Sequence, residues 1–124
     1  NILKKFKNIT YIEWVENIKE IFAKTYILLF PSKVEAFGRV AVEGMLNGIP
    51  VIGSNIGGIP EIIPEELIIQ KSNDISIWLQ KLDFVMNAYE YLSQLVKTKI
   101  NKFNFSKTIK RIEEIVKNEI GITI

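Results

Sequence analysis

The stretch from Tyr26 to Gly53, YILLFPSKVEAFGRVAVEGMLNGIPVIG, decides the fold. Its first five residues, Tyr26 to Phe30, are apolar without alternation and are stopped by Pro31 and Ser32. That pattern reads as a strand covered on both faces, as in a parallel sheet. Pro50 to Gly53 reads as a second buried strand. Between them lies a segment whose apolar residues are Val40, Val42, Met45 and Leu46, read as a helix with Asn47 and Gly48 as its C-terminal cap. Strand, helix and strand at this spacing predict a right-handed parallel crossover.

The flanks extend the pattern in both directions. Upstream, Ile9 to Trp14 (ITYIEW) is β-branched and aromatic and reads as a short strand. Asn17 is placed to cap a short helix carrying Ile18, Ile21 and Phe22 and ending near Lys24. Downstream, Gly57 and Gly58 mark a tight backbone, Pro60 can open a single helical turn, and Glu66 to Gln70 reads as another buried strand. Asp74 caps a helix with Ile75, Trp78, Leu79 and Leu82, and Tyr91, Leu92, Leu95 and Val96 continue the helical period. Ser106 caps a last helix with Ile109, Ile112, Ile115 and Val116 turned inward. The expected fold is α/β: a Rossmann-like, three-layer domain with a parallel sheet of about four strands and C-terminal helices, spanning 1–124 as a single domain.

Composition bounds the chemistry. At 124 residues, 48% hydrophobic and 24% charged, the chain has the make-up of a soluble domain able to bury one core. It holds neither Cys nor His, which excludes disulfides, Cys/His zinc sites, thiol nucleophiles and imidazole acid–base chemistry from its own residues. Sixteen basic against 14 acidic residues leave a net charge of +2, spread along the chain, so no nucleic-acid partner is expected. No apolar run approaches the roughly 20 residues of a membrane span, and a cytoplasmic protein is expected. The Lys-rich C-terminal helices read first as a solvated face and second as a peripheral contact with the inner face of a membrane. The chain starts at Asn1 within what reads as a helix tail, so an N-terminally truncated piece of a longer protein is expected.

In an open parallel sheet the ligand crevice lies beyond the carboxyl ends of the strands. Pro31 to Gly38 occupies such a place. Gly38 permits close backbone approach, and the helix that follows presents free N–H groups and a positive dipole end, which suits a phosphate or diphosphate. Glu35 precedes that helix and Glu43 lies about a turn and a half into it. Carboxylates suit vicinal hydroxyl pairs because both oxygens accept hydrogen bonds, so two glutamates suggest two sugar rings. No metal-binding motif is present and no cofactor is expected.

The run from Phe30 to Ile63, FPSKVEAFGRVAVEGMLNGIPVIGSNIGGIPEII, resembles the E-x7-E region of the group 1, or family 4, retaining glycosyltransferases of GT-B fold. The likeness rests on Glu35 and Glu43 with Phe37 and Gly38 between them, Gly48 and Pro50 before the next strand, and Gly57, Gly58 and Glu61 after it. Weaker likeness covers nearly the whole chain. Glu13 departs from the pattern, standing where the family carries Gly.

The resemblance implies the C-terminal, donor-binding domain of an enzyme transferring a sugar from a nucleotide-diphosphate sugar, such as a UDP- or GDP-sugar, with retention. By matching positions, Glu35 would meet donor-sugar hydroxyls as the catalytic carboxylate, and Glu43 the ribose. Ala36, Phe37 and Gly38 would face sugar and diphosphate, Arg39 and Val40 would complete the helix start, Trp14 and Val15 would lie at the base, and Ser32 would flank the crevice. The family's acceptor-binding N-terminal domain and its diphosphate-clamping Arg and Lys lie outside this chain, so the isolated chain is expected to be inactive. Two other readings stay open: a non-catalytic nucleotide-sugar binding module, and a relative of the sugar-nucleotide 2-epimerases, whose histidine chemistry this chain lacks.

Overall fold

Leu28–Phe30 (β1), Val51–Ser54 (β2) and Ile68–Ile69 (β3) form a parallel sheet in the order β1-β2-β3 in the computed structural model, which describes residues 2–71, 73–103, 110 and 113–121. Leu28 pairs with Val51 and Phe30 with Gly53, and Gly53 and Ser54 pair with Ile68 and Ile69. Parallel neighbours need crossovers, and helices supply them. Arg39–Leu46 (α2) links β1 to β2, and the single turn Ile59–Ile62 (α3), with Pro60 in its first turn, leads through a 3-10 turn to β3. Every residue of β2 is buried, which is why PVIG carries no polar side chain before Ser54.

Cap chemistry sets the helix ends. The short helix Ile18–Phe22 (α1) starts where the Asn17 side chain accepts a hydrogen bond from the Lys19 N–H. α2 ends in a Schellman arrangement. The Ile49 N–H reaches the Gly44 carbonyl at 3.1 Å, and the Gly48 N–H reaches that of Met45 at 2.9 Å. Ile75–Asn87 (α4) begins at Asp74, whose carboxylate accepts from the Ser76 N–H at 2.9 Å and from the Ser76 hydroxyl at 2.6 Å. α4 breaks at Ala88 (φ −118°, ψ 26°) and continues as Tyr89–Lys102 (α5). Beside the break, Tyr89 stacks on Tyr26 with ring centroids 3.7 Å apart, tying the helix pair to the segment before β1.

One core joins these layers. Met45 of α2, Val51 and Ile52 of β2, Ile59 and Ile62 of α3, Val85 of α4, and Leu92 and Val96 of α5 are all buried in it. The Ser93 hydroxyl donates to the Gly48 carbonyl at 2.7 Å, and the Lys99 ammonium donates to the Ile63 carbonyl at 3.0 Å. These bonds hold α5 along the α2 side of the sheet.

Several expectations change. The strand expected over Glu66 to Gln70 is cut to Ile68–Ile69, because Glu65–Leu67 winds into a 3-10 turn, and of the apolar residues of α2, Val40 and Leu46 are exposed. The described sheet has three strands rather than about four, because Ile9 to Trp14 forms no ladder: Ile9, Tyr11, Ile12 and Trp14 are exposed, and strand propensity without a pairing partner gives no strand. β1 is shorter than Tyr26 to Phe30 and is not covered on both faces, since Leu29 is 46% exposed. The inward face of α4 is borne out in half: Trp78 and Leu82 pack around the core as expected, joined by Ile77 and the buried Val85, while Ile75 and Leu79 are 75% and 60% exposed. Ile115, expected inward, is exposed. Ser106, Ile109 and Ile112 lie outside the described residues.

The Asp74 cap carries a pH prediction. The Ser76 hydroxyl, and after it the Ser76 N–H, hold the Asp74 carboxyl below its ordinary pKa. A depressed carboxyl adds stability that is fully present above the unfolded pKa and fades as pH falls through the lower folded one. Asp74→Ala is expected to lower the denaturation midpoint at neutral pH and to lower it less at a pH below both values, where only the uncharged cap bond is lost. Urea titrations at the two pH values check this, and an equal loss at both would remove the charge from the account.

Candidate functional site

The loop Pro31 to Gly38 leaves the carboxyl end of β1, and Asn55 to Gly58 leaves that of β2. Because the strands are parallel neighbours, the two loops emerge side by side, and the Gly58 N–H donates to the Ala36 carbonyl at 3.1 Å. Gly38, left-handed at φ 79° and ψ 51°, turns the chain from loop into α2, and its carbonyl accepts the first intrahelical bond from the Val42 N–H at 3.2 Å.

Glu35 folds back over its own loop. Its Oε1 accepts from the N–H groups of Ala36, Phe37 and Gly38 at 3.1, 3.3 and 3.1 Å. Three successive amides converging on one oxygen form an anion cradle, filled here by the chain's own carboxylate. All three contacts go to Oε1, so Oε2 is the oxygen left to accept from a ligand. The N–H groups of Arg39, Val40 and Ala41, in the first turn of α2, have no intrahelical partner.

Glu43 lies one turn into α2, on the same face as Arg39 and Val40, while Ala41, Val42, Gly44 and Met45 turn inward. It is half-buried, as are Glu35 and Ser32, whereas Ala36, Phe37, Arg39 and Val40 are exposed and Gly38 is buried. The structure thus gathers Ser32, Glu35 to Val40 and Glu43 around one loop-to-helix junction. No strand ends at Trp14 or Val15. They lie in an irregular stretch before α1, with Trp14 76% exposed and Val15 half-buried.

Two features of the same sheet edge escape a sequence reading. Ser54, the last residue of β2, keeps a buried hydroxyl with no partner among the described residues. Past β3, a concavity of about 660 Å³ is lined by Gln70, Lys71, Asn73, Asp74 and Ile75 and includes neither glutamate. Residue types alone carry no signal for either, since both depend on how the strand ends line up. Among the described residues no helix is long and apolar enough to cross a membrane.

Parallel strands joined by crossover helices define a Rossmann-like α/β domain. The chain belongs to the group 1 glycosyl transferases, whose family model matches residues 2–102. It is 31% identical over 108 residues to alpha-1,3/1,6-mannosyltransferase alg-2 of Neurospora crassa, covering 80% of this chain and 23% of that protein. It is 44% identical over 48 residues to N-acetyl-alpha-D-glucosaminyl L-malate synthase of Bacillus anthracis, covering 39% and 13%. A 41.2 kDa protein of the Klebsiella pneumoniae cps region is 45% identical over 64 residues, covering 49% and 18%. The chain therefore spans less than a quarter of the length of these relatives.

Proposed function

We propose that residues 1–124 are the donor-binding part of a glycosyltransferase that moves a sugar from a nucleoside-diphosphate sugar to an acceptor with retention, the acceptor being bound by an N-terminal domain outside this chain. The observation that carries this reading is the immobilised Glu35. One carboxylate oxygen is fixed by three amides, so the other meets a donor-sugar hydroxyl without first losing side-chain freedom. The diphosphate rests against the unpaired N–H groups of Arg39 and Val40, where the helix dipole favours negative charge. Glu43, on the same helix face, accepts from the ribose hydroxyls.

As the bond from the anomeric carbon to the diphosphate breaks, positive character grows on the sugar and negative charge on the leaving group. The fixed carboxylate faces the first and the start of α2 the second, so this chain's contribution is preorganised electrostatics. Basic residues outside the chain complete the diphosphate site, and the acceptor hydroxyl attacks from the face the leaving group departs, its proton passing to the departing diphosphate oxygen.

Calorimetric titration of the whole protein with UDP- and GDP-sugars tests the assignment. Glu43→Ala is expected to weaken donor binding about 10- to 150-fold, the equivalent of one hydrogen bond to a charged group. Unchanged affinity would refute the ribose assignment.

A further inference from the structure

We propose that the Gly57–Gly58 turn positions the Glu35 carboxylate by gripping two of the three peptide planes whose amides hold it. The proposal rests on the reading that Glu35 meets the donor sugar.

The turn lies directly on the backbone of the neighbouring loop. Gly57 has φ +53°, and a Cβ there would overlap the Glu35 carbonyl oxygen and come within 2.8 Å of its carbonyl carbon. A Cβ on Gly58 would stand 2.7 Å from the Ala36 carbonyl oxygen, which already accepts the Gly58 N–H at 3.1 Å. No side chain fits between the two main chains at either position.

Each gripped peptide has a second end. The plane joining Glu35 to Ala36 sets its carbonyl against Gly57 and its N–H on Glu35 Oε1. The plane joining Ala36 to Phe37 sets its carbonyl on the Gly58 N–H and its own N–H on the same Oε1. A peptide unit is rigid and holds its C=O and N–H in opposite directions, so tilting one end swings the other by the same angle. A push from Gly57 therefore reaches the carboxylate through planes that cannot bend. The Gly58 bond also polarises the second peptide, strengthening the N–H it offers to Oε1. The Ile59 Cδ1 methyl occupies the space that a Cβ on Gly38, the third amide donor, would need. Ile59 is fully buried in α3, so the cradle is backed by the core.

The test is a double-mutant cycle in the whole protein, reading turnover and, separately, affinity for free nucleoside diphosphate. Gly57→Ala is expected to cut kcat about 100-fold, the scale of a 1 Å misplacement, while nucleotide affinity changes less than about threefold. With Glu35→Ala already present, adding Gly57→Ala is expected to cost little more, since the group it positions is gone. Additive losses, or equal loss of nucleotide affinity, would overturn the positioning role while leaving Glu35 its part. Full turnover in Glu35→Ala alone would overturn both. If Gly57→Ala does not fold, Ile59→Val serves, because it removes only the Cδ1 methyl behind Gly38; its smaller loss of kcat is expected to vanish in the Glu35→Ala background, and persistence there would overturn the proposal.

Discussion

Glu35→Ala in the whole protein is expected to lower turnover by about 100- to 1,000-fold, the scale on which single preorganised polar groups act in transition states. Nucleoside-diphosphate affinity is expected to stay within about threefold, because the carboxylate is assigned to the sugar ring and not to the nucleotide. Glu35→Gln makes the result specific. Its amide oxygen can still accept from the Ala36, Phe37 and Gly38 N–H groups, so the loop keeps its shape. At the Oε2 position, however, it offers a donor without charge. Glu35→Gln is therefore expected to melt like the parent and still lose most turnover. Steady-state kinetics with a nucleotide sugar, alongside thermal denaturation, separate the two effects. A fully active Glu35→Gln would mean that the carboxylate serves only to tie its own loop.

The site was legible where it depended on chain order. Pro31 and Ser32 after an apolar run, and Gly38 before a helical period, mark a strand-to-helix junction because backbone geometry there is dictated residue by residue. Asn17, Asp74 and Pro60 take their expected places for the same reason: a cap or a first-turn proline acts on amides two or three positions away. What could not be read depends on which elements meet. Ile9 to Trp14 has strand composition, yet a strand exists only with a ladder, and composition does not reveal whether a partner is there. Gly57 and Gly58 read in sequence as a tight backbone, and composition does not reveal that two loops touch there through bare main chain. The return of the Glu35 side chain onto its own loop was equally hidden, since spacing marks a carboxylate near a helix start without saying which amides it takes.

The inward face of α4 is the clearest case of this limit, and it gives the second large prediction. ISIWLQKLDFVM is apolar at so many positions that two stripes satisfy a helical period. One runs through Ile75 and Leu79, the other through Trp78, Leu82 and Val85, and contact with β3 and α5 selects the second. Leu79 and Leu92 therefore part company, although both read as core in the sequence: Leu79 is largely exposed, and Leu92 of α5 is fully buried beside Val96. Leu92→Ala is expected to cost about 2–5 kcal/mol, transfer of the lost methyls plus the cavity left behind. Against a typical total of about 5–15 kcal/mol, that is a large share of the stability of a domain this size. Leu79→Ala is expected to stay within about 0.5 kcal/mol. Urea denaturation reads both, and with slopes of about 1–3 kcal/mol per molar the Leu92→Ala midpoint should fall by about 1 M or more while that of Leu79→Ala barely moves. Equal shifts would mean that α4 is rotated from the face described, and with it the wall that α4 builds along β3.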